Sequence, residues 1–146
     1  MVRRPVAFVT AIVLFVEAVG IVIVNGIMAT VADNQSMSLA GMDPDAMVTG
    51  TWVMGGVSGA LLVLCGLIPL LAGIRDRAPG RFGRIALIAC AVVHGVLGAL
   101  AVGLIGWAAF AFLMVVLALI VLTLVTFDRR GPEAGKAGAP NAPAPV

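Results

Sequence analysis

The run IALIACAVVHGVLGALAVGLIGWAAFAFLMVVLALIVLTLVTF occupies residues 85–127, and it holds no Asp, Glu, Lys or Arg from Ile85 to Phe127. As one helix it would measure about 65 Å, twice the ~30 Å hydrocarbon core of a bilayer. Its length therefore fits two membrane spans joined by a tight turn. The segment Gly103-Leu-Ile-Gly-Trp107 is the expected turn, with two glycines followed by an aromatic residue suited to the lipid–water interface. This places spans at about 85–103 and 107–127.

Working outward, two further stretches are long enough to cross a bilayer. One runs from Val6 to Thr30, interrupted by Glu17 and Asn25, and the other from Thr51 to Ile74. The expected fold is an all-α integral membrane protein with four transmembrane helices in residues 1–130. The Pro/Ala/Gly-rich end, 131–146, has no apolar periodicity and reads as a disordered tail. Composition agrees. Of 146 residues, 62% are apolar and 11% charged, with a mean hydropathy of +1.17. A soluble domain has about 25% charged residues, so a cytosolic enzyme, a secreted disulfide scaffold and a nucleic-acid-binding domain are all excluded.

The nine basic residues assign direction. Arg3 and Arg4 precede the first span; Arg75, Arg77, Arg81 and Arg84 lie between the second and third; Arg129, Arg130 and Lys136 follow the fourth. An even number of spans puts all nine on one side. The single outer loop, between spans one and two, holds Asp33, Asp43 and Asp45 and no basic residue. By the positive-inside rule both termini are cytoplasmic. The first apolar stretch exceeds a signal-peptide h-region, so it is expected to stay as a span. Eight Arg to one Lys, with abundant Ala, Gly and Val, points to a bacterial cytoplasmic membrane.

Local signals refine the second span. Asp43-Pro44-Asp45 has the form of a helix start, with a capping carboxylate, Pro at the first turn and an acid near the positive dipole end. Pro69 removes a backbone donor near the inner end and is expected to kink the helix. Helices in lipid associate by close packing, which small residues permit. Gly55 and Gly59, with a stripe of Thr51, Ser58, Cys65 and Ala72, mark such a face on span two. Ala91, Gly95, Ala99 and Gly103 mark one on span three. Spans one to three are thus expected to form the packed centre, with span four the most lipid-exposed.

Glu17 is the chemical anomaly, an ionisable group near the middle of span one. Intramembrane charges cost several kcal/mol and mark functional sites by default. Thr10 and Asn25 fall within an arc of about 80° around it, at inner and outer depths. His94, the only histidine, lies near the middle of span three. The expectation is that Glu17 and His94 meet, as a register-fixing hydrogen bond or as a proton-handling pair.

A second anomaly is the outer loop, where Met37, Met42 and Met47 recur among the aspartates. Thioethers bind Cu(I), while a flexible apolar lid would also use methionine. Cys65 and Cys90 read as buried small residues. The Arg75–Arg84 cluster suits anionic lipid headgroups. No Walker, zinc-protease or nucleophile-elbow pattern occurs. No cofactor is expected, and catalysis is disfavoured. The leading expectation is an accessory or interaction subunit of a membrane assembly. Its partners would be the bilayer and another membrane protein or a second copy, with no nucleic acid. The alternatives are a proton-coupled small-solute transporter using Glu17 and His94, and copper handling by the methionine loop.

Overall fold

The computed structural model describes residues 3–35, 41 and 43–128. It contains four helices: α1 (Arg3–Asn34), α2 (Pro44–Arg75), α3 (Arg81–Leu104) and α4 (Trp107–Asp128). Each is long and apolar enough to cross a membrane. The helix surfaces expose large aliphatic side chains along their lengths, among them Val16, Val19, Leu61, Leu64, Val92 and Val96. A soluble monomer does not carry apolar surface on that scale. The described residues form an all-helical fold whose four helices fit a transmembrane bundle.

The ends of the helices follow from local chemistry. The Asp43 carboxylate accepts a hydrogen bond from the Asp45 amide at 2.9 Å, and Pro44 opens α2. At its other end, Asp76 adopts a left-handed conformation, φ 48°. The break between α3 and α4 falls at Ile105–Gly106 rather than at Gly103, which remains helical. Gly106 is the residue that turns the chain, at φ +119°, a region disfavoured for side chains with a Cβ. The Ala101 carbonyl accepts from both the Ile105 and Gly106 amides and closes α3.

Two antiparallel hairpins, α1–α2 and α3–α4, pack with α4 against α1. Two contacts join the hairpins near the basic ends: Arg3 stacks over the Phe127 ring at 5.6 Å, and Phe127 packs with Ala7 and Ala72. Within the hairpins Arg4 pairs with Asp76 and Arg84 makes a two-pronged contact with Asp128. Glu17 and His94 both lie about 20 Å along their helices from that end.

Packing differs between the hairpins. The α1–α2 contact is built on glycines. A Cβ at Gly55 would lie 2.6 Å from Asn25 Cβ, one at Gly59 would lie 2.6 Å from Val22 Cγ2, and one at Gly66 would meet the Phe15 ring at 2.9 Å. Gly59, Gly66 and Gly73 repeat every seven residues, one position beyond the Ser58, Cys65 and Ala72 stripe, and this is the row that meets α1. The second core is aliphatic. Leu14 of α1, Leu87 and Cys90 of α3, and Val116 and Ile120 of α4 bury one another.

The expected centre of spans one to three is therefore corrected. Helix α4 is the least buried of the four, yet it is inserted between α1 and α3, whereas α2 and α3 scarcely touch. Branched aliphatics at Val116 and Ile120 fill that space as well as small residues would. The small-residue row on α3 also departs from the contact face. Ala91 and Gly95 are half-buried, but Ala99 and Gly103 are exposed. Steps of four residues advance about 40° around the helix, so this row rotates by about 120° between Ala91 and Gly103. The buried stripe is instead Leu87, Cys90, His94, Gly98 and Ala101.

The glycine contact is directly testable. Gly55→Ala forces a Cβ onto the backbone-proximal Cβ of Asn25, which has no rotamer to retreat into. Overpacking of this kind costs about 1–3 kcal/mol. Thermal unfolding in mild detergent should show a clear drop for Gly55→Ala and none for Gly56→Ala, where nothing lies within 4 Å.

Candidate functional site

The helix register brings Glu17 of α1 to His94 of α3. His94 Nε2 lies 3.1 and 3.0 Å from the two carboxyl oxygens of Glu17, and Nδ1 lies 2.8 Å from the Cys90 carbonyl oxygen. The Cys90 sulfur is 3.7 Å from the same Nδ1. The contact crosses the diagonal of the bundle, from the first hairpin to the second.

These distances constrain the protons. A carbonyl oxygen only accepts, so Nδ1 carries hydrogen. The imidazole is then either neutral, with Nε2 bare and Glu17 donating to it, or cationic, with Nε2 donating to a carboxylate. Both arrangements hold one proton between Nε2 and the carboxyl group, and both have zero net charge. That neutrality is what permits the pair at mid-depth, since an unpaired ion there carries a large desolvation cost.

The pair does not face sealed core. Because α2 and α3 barely touch, a cleft of about 440 Å³ opens between them, with Glu17 and His94 in its lining. Its walls are largely apolar and include Ile21, Leu61, Leu62, Val93 and Leu97; Ser58, Cys65 and Cys90 add small polar groups. Binding pockets for small molecules commonly enclose ~300–1,000 Å³. Exposure divides the pair: the Glu17 side chain is 15% exposed and that of His94 only 3%. Glu17 is thus the more exposed member of the pair.

The other polar residues of α1 are placed elsewhere. Thr10 is fully buried and its hydroxyl lies 2.9 Å from that of Thr123 on α4, with the Val6 carbonyl also at 2.9 Å. Asn25 donates to its own helix, at the Ile21 carbonyl 2.9 Å away, and packs on Gly55. Thr10, Glu17 and Asn25 therefore make three separate contacts, to α4, α3 and α2. An 80° arc is wide enough to face different neighbours at different depths. Thr123 escaped the sequence reading because a lone threonine in an aliphatic helix can satisfy itself on its own i−4 carbonyl, as Thr123 also does at Leu119.

Met37 and Met42 lie outside the described residues; Met47 is half-buried near the start of α2. Among the described residues no three His, Cys, Asp or Glu side chains converge as a metal site. Comparison of the chain with protein-family models, with curated proteins and with solved structures returned no match.

Two measurements test this geometry. His94 is the only histidine, so ¹⁵N-labelling of the full chain gives one imidazole. Nδ1 should report as protonated throughout the pH range in which the protein is folded. In Glu17→Gln, Nε2 should report as an unprotonated acceptor at neutral pH. Separately, Thr10→Val and Thr123→Val should each lower stability by about 0.5–2 kcal/mol. The double variant should lose less than the sum of the two, because the hydroxyls share one hydrogen bond.

Proposed function

We propose that this protein is a small proton-coupled solute-handling protein of a bacterial cytoplasmic membrane, with Glu17 and His94 as its working site. The observation that carries this reading is the one-proton pair at mid-depth opening on a cleft of about 440 Å³. A pair that served only to fix helix register has no need of a cavity beside it. An exchangeable proton next to a ligand-sized cleft is what coupling requires. The basic residues flanking the spans support an orientation with both termini cytoplasmic.

A second reading is an accessory subunit whose partner is another membrane protein or a second copy. The thin α2–α3 contact favours it, since a partner's helix laid along this seam would complete the bundle. Copper handling by Met37, Met42 and Met47 is a third reading, and it draws nothing from the helical bundle.

Proteoliposomes loaded with a pH-sensitive dye separate these readings. Under an imposed pH gradient, the wild-type protein should couple proton movement to one class among cationic, neutral and anionic solutes. Glu17→Gln should reduce the coupled flux at least tenfold. Proton movement indifferent to every solute, together with a stoichiometric partner on mild-detergent purification, would move the assignment to the accessory reading.

A further inference from the structure

We propose that the cleft between α2 and α3 binds an apolar monovalent cation, a lipophilic amine or quaternary ammonium ion, and that each bound cation displaces one proton from the Glu17–His94 pair. The inference rests on the proton-coupled reading above and names its substrate class.

Charge follows from exposure. Glu17 lines the cleft and is the more exposed of the pair, whereas His94 is almost wholly enclosed and both its ring nitrogens are engaged. An anion would therefore meet the acceptor first, and a neutral hydrocarbon would gain nothing from it. Ser58 brings a hydroxyl to the lining, and its oxygen can accept while its hydrogen turns elsewhere. The Glu17 carboxylate is the only group there that carries full charge when His94 is neutral, and a carboxylate suits a cation. The apolar walls require that the cation carry hydrocarbon, and the seam between two lipid-facing helices gives it a sideways route from the bilayer.

The proton count follows from neutrality. Before binding, the pair holds one shared proton and no net charge. A cation that takes the carboxylate leaves His94 as a neutral imidazole with its hydrogen on Nδ1, still held by the Cys90 carbonyl. The bridging proton leaves to water, and the site is again neutral. Were the proton retained, the site would hold an uncompensated positive charge in hydrocarbon. The other titratable groups at this site are Cys65 from α2 and Cys90 from α3; α1 offers none at this depth beyond Glu17, and α4 carries none between Trp107 and Phe127. One proton released per cation means that affinity rises about tenfold per pH unit while the pair holds its proton.

The test uses the full chain in mild detergent and 4-phenylbutyl-trimethylammonium, whose fixed charge brings no proton of its own. Calorimetry in two buffers of different ionisation enthalpy counts the protons. The expected result is release of ~1 proton per bound cation, with at least tenfold weaker binding of the uncharged tert-butyl isostere. Glu17→Gln should weaken cation binding at least tenfold. Ala89→Phe, which fills the cleft from α3, should do the same while leaving the ¹⁵N signature of His94 intact, so lost binding is not lost folding. Cation binding without proton release, equal binding of the isostere, or wild-type binding by Glu17→Gln would overturn the proposal. Binding with proton release but no flux in proteoliposomes would remove the transport reading and leave this one standing. Proton-coupled flux of a neutral or anionic solute without cation binding would do the reverse.

Discussion

A carboxyl group at the middle of a bilayer must find a partner or lose its charge, and His94 is the partner Glu17 finds. Because the Cys90 carbonyl fixes the hydrogen on Nδ1, the contact is restricted to electroneutral states holding one bridging proton. The same contact ties α1 to α3 across the bundle diagonal and sets their relative depth. With α3 placed, α4 follows through the short turn at Gly106. Leu14, Leu87, Val116 and Ile120 then close the aliphatic core around the pair.

The remaining packing reflects a solvent that gives helices no hydrophobic reason to associate. The first hairpin is held by close backbone approach at Gly55, Gly59 and Gly66, the hairpins by interlocked aliphatics and the Thr10–Thr123 contact. Ion pairs near the basic ends, Arg4–Asp76 and Arg84–Asp128, are half-exposed and contribute little to stability. Between α2 and α3 both devices are sparse: Gly83 approaches Ile68 near the basic end, and Leu62, Cys65 and Ile68 reach the edge of the aliphatic core, but the seam opens beside Glu17. The cleft opens where the Glu17–His94 pair sits, and the contact that joins the two hairpins therefore lines a cavity.

Several of these features were legible in the chain itself. The uncharged run from Ile85 to Phe127 required two spans, and counting from the arginines placed Glu17 and His94 at one depth. Other features misled. Ala99 and Gly103 read as part of a contact row, but fourfold spacing carries them around the helix to an exposed face. Gly66 and Gly73 extend Gly59 as a seven-residue repeat, one position beyond the small-residue stripe of Ser58, Cys65 and Ala72. Thr123 gave no signal at all, because its partner lies more than a hundred residues away.

The sequence by itself determined the solvent, the number of helices, and the depth at which each ionisable side chain must sit. These follow from hydropathy and from 1.5 Å per residue, which are properties of single segments. Only the tertiary structure decided which helices touch. Rotation about each helix axis and the choice of neighbours depend on side-chain fit between segments far apart in the chain. It is that fit that left α2 and α3 apart, with Glu17 facing the gap and His94 behind it.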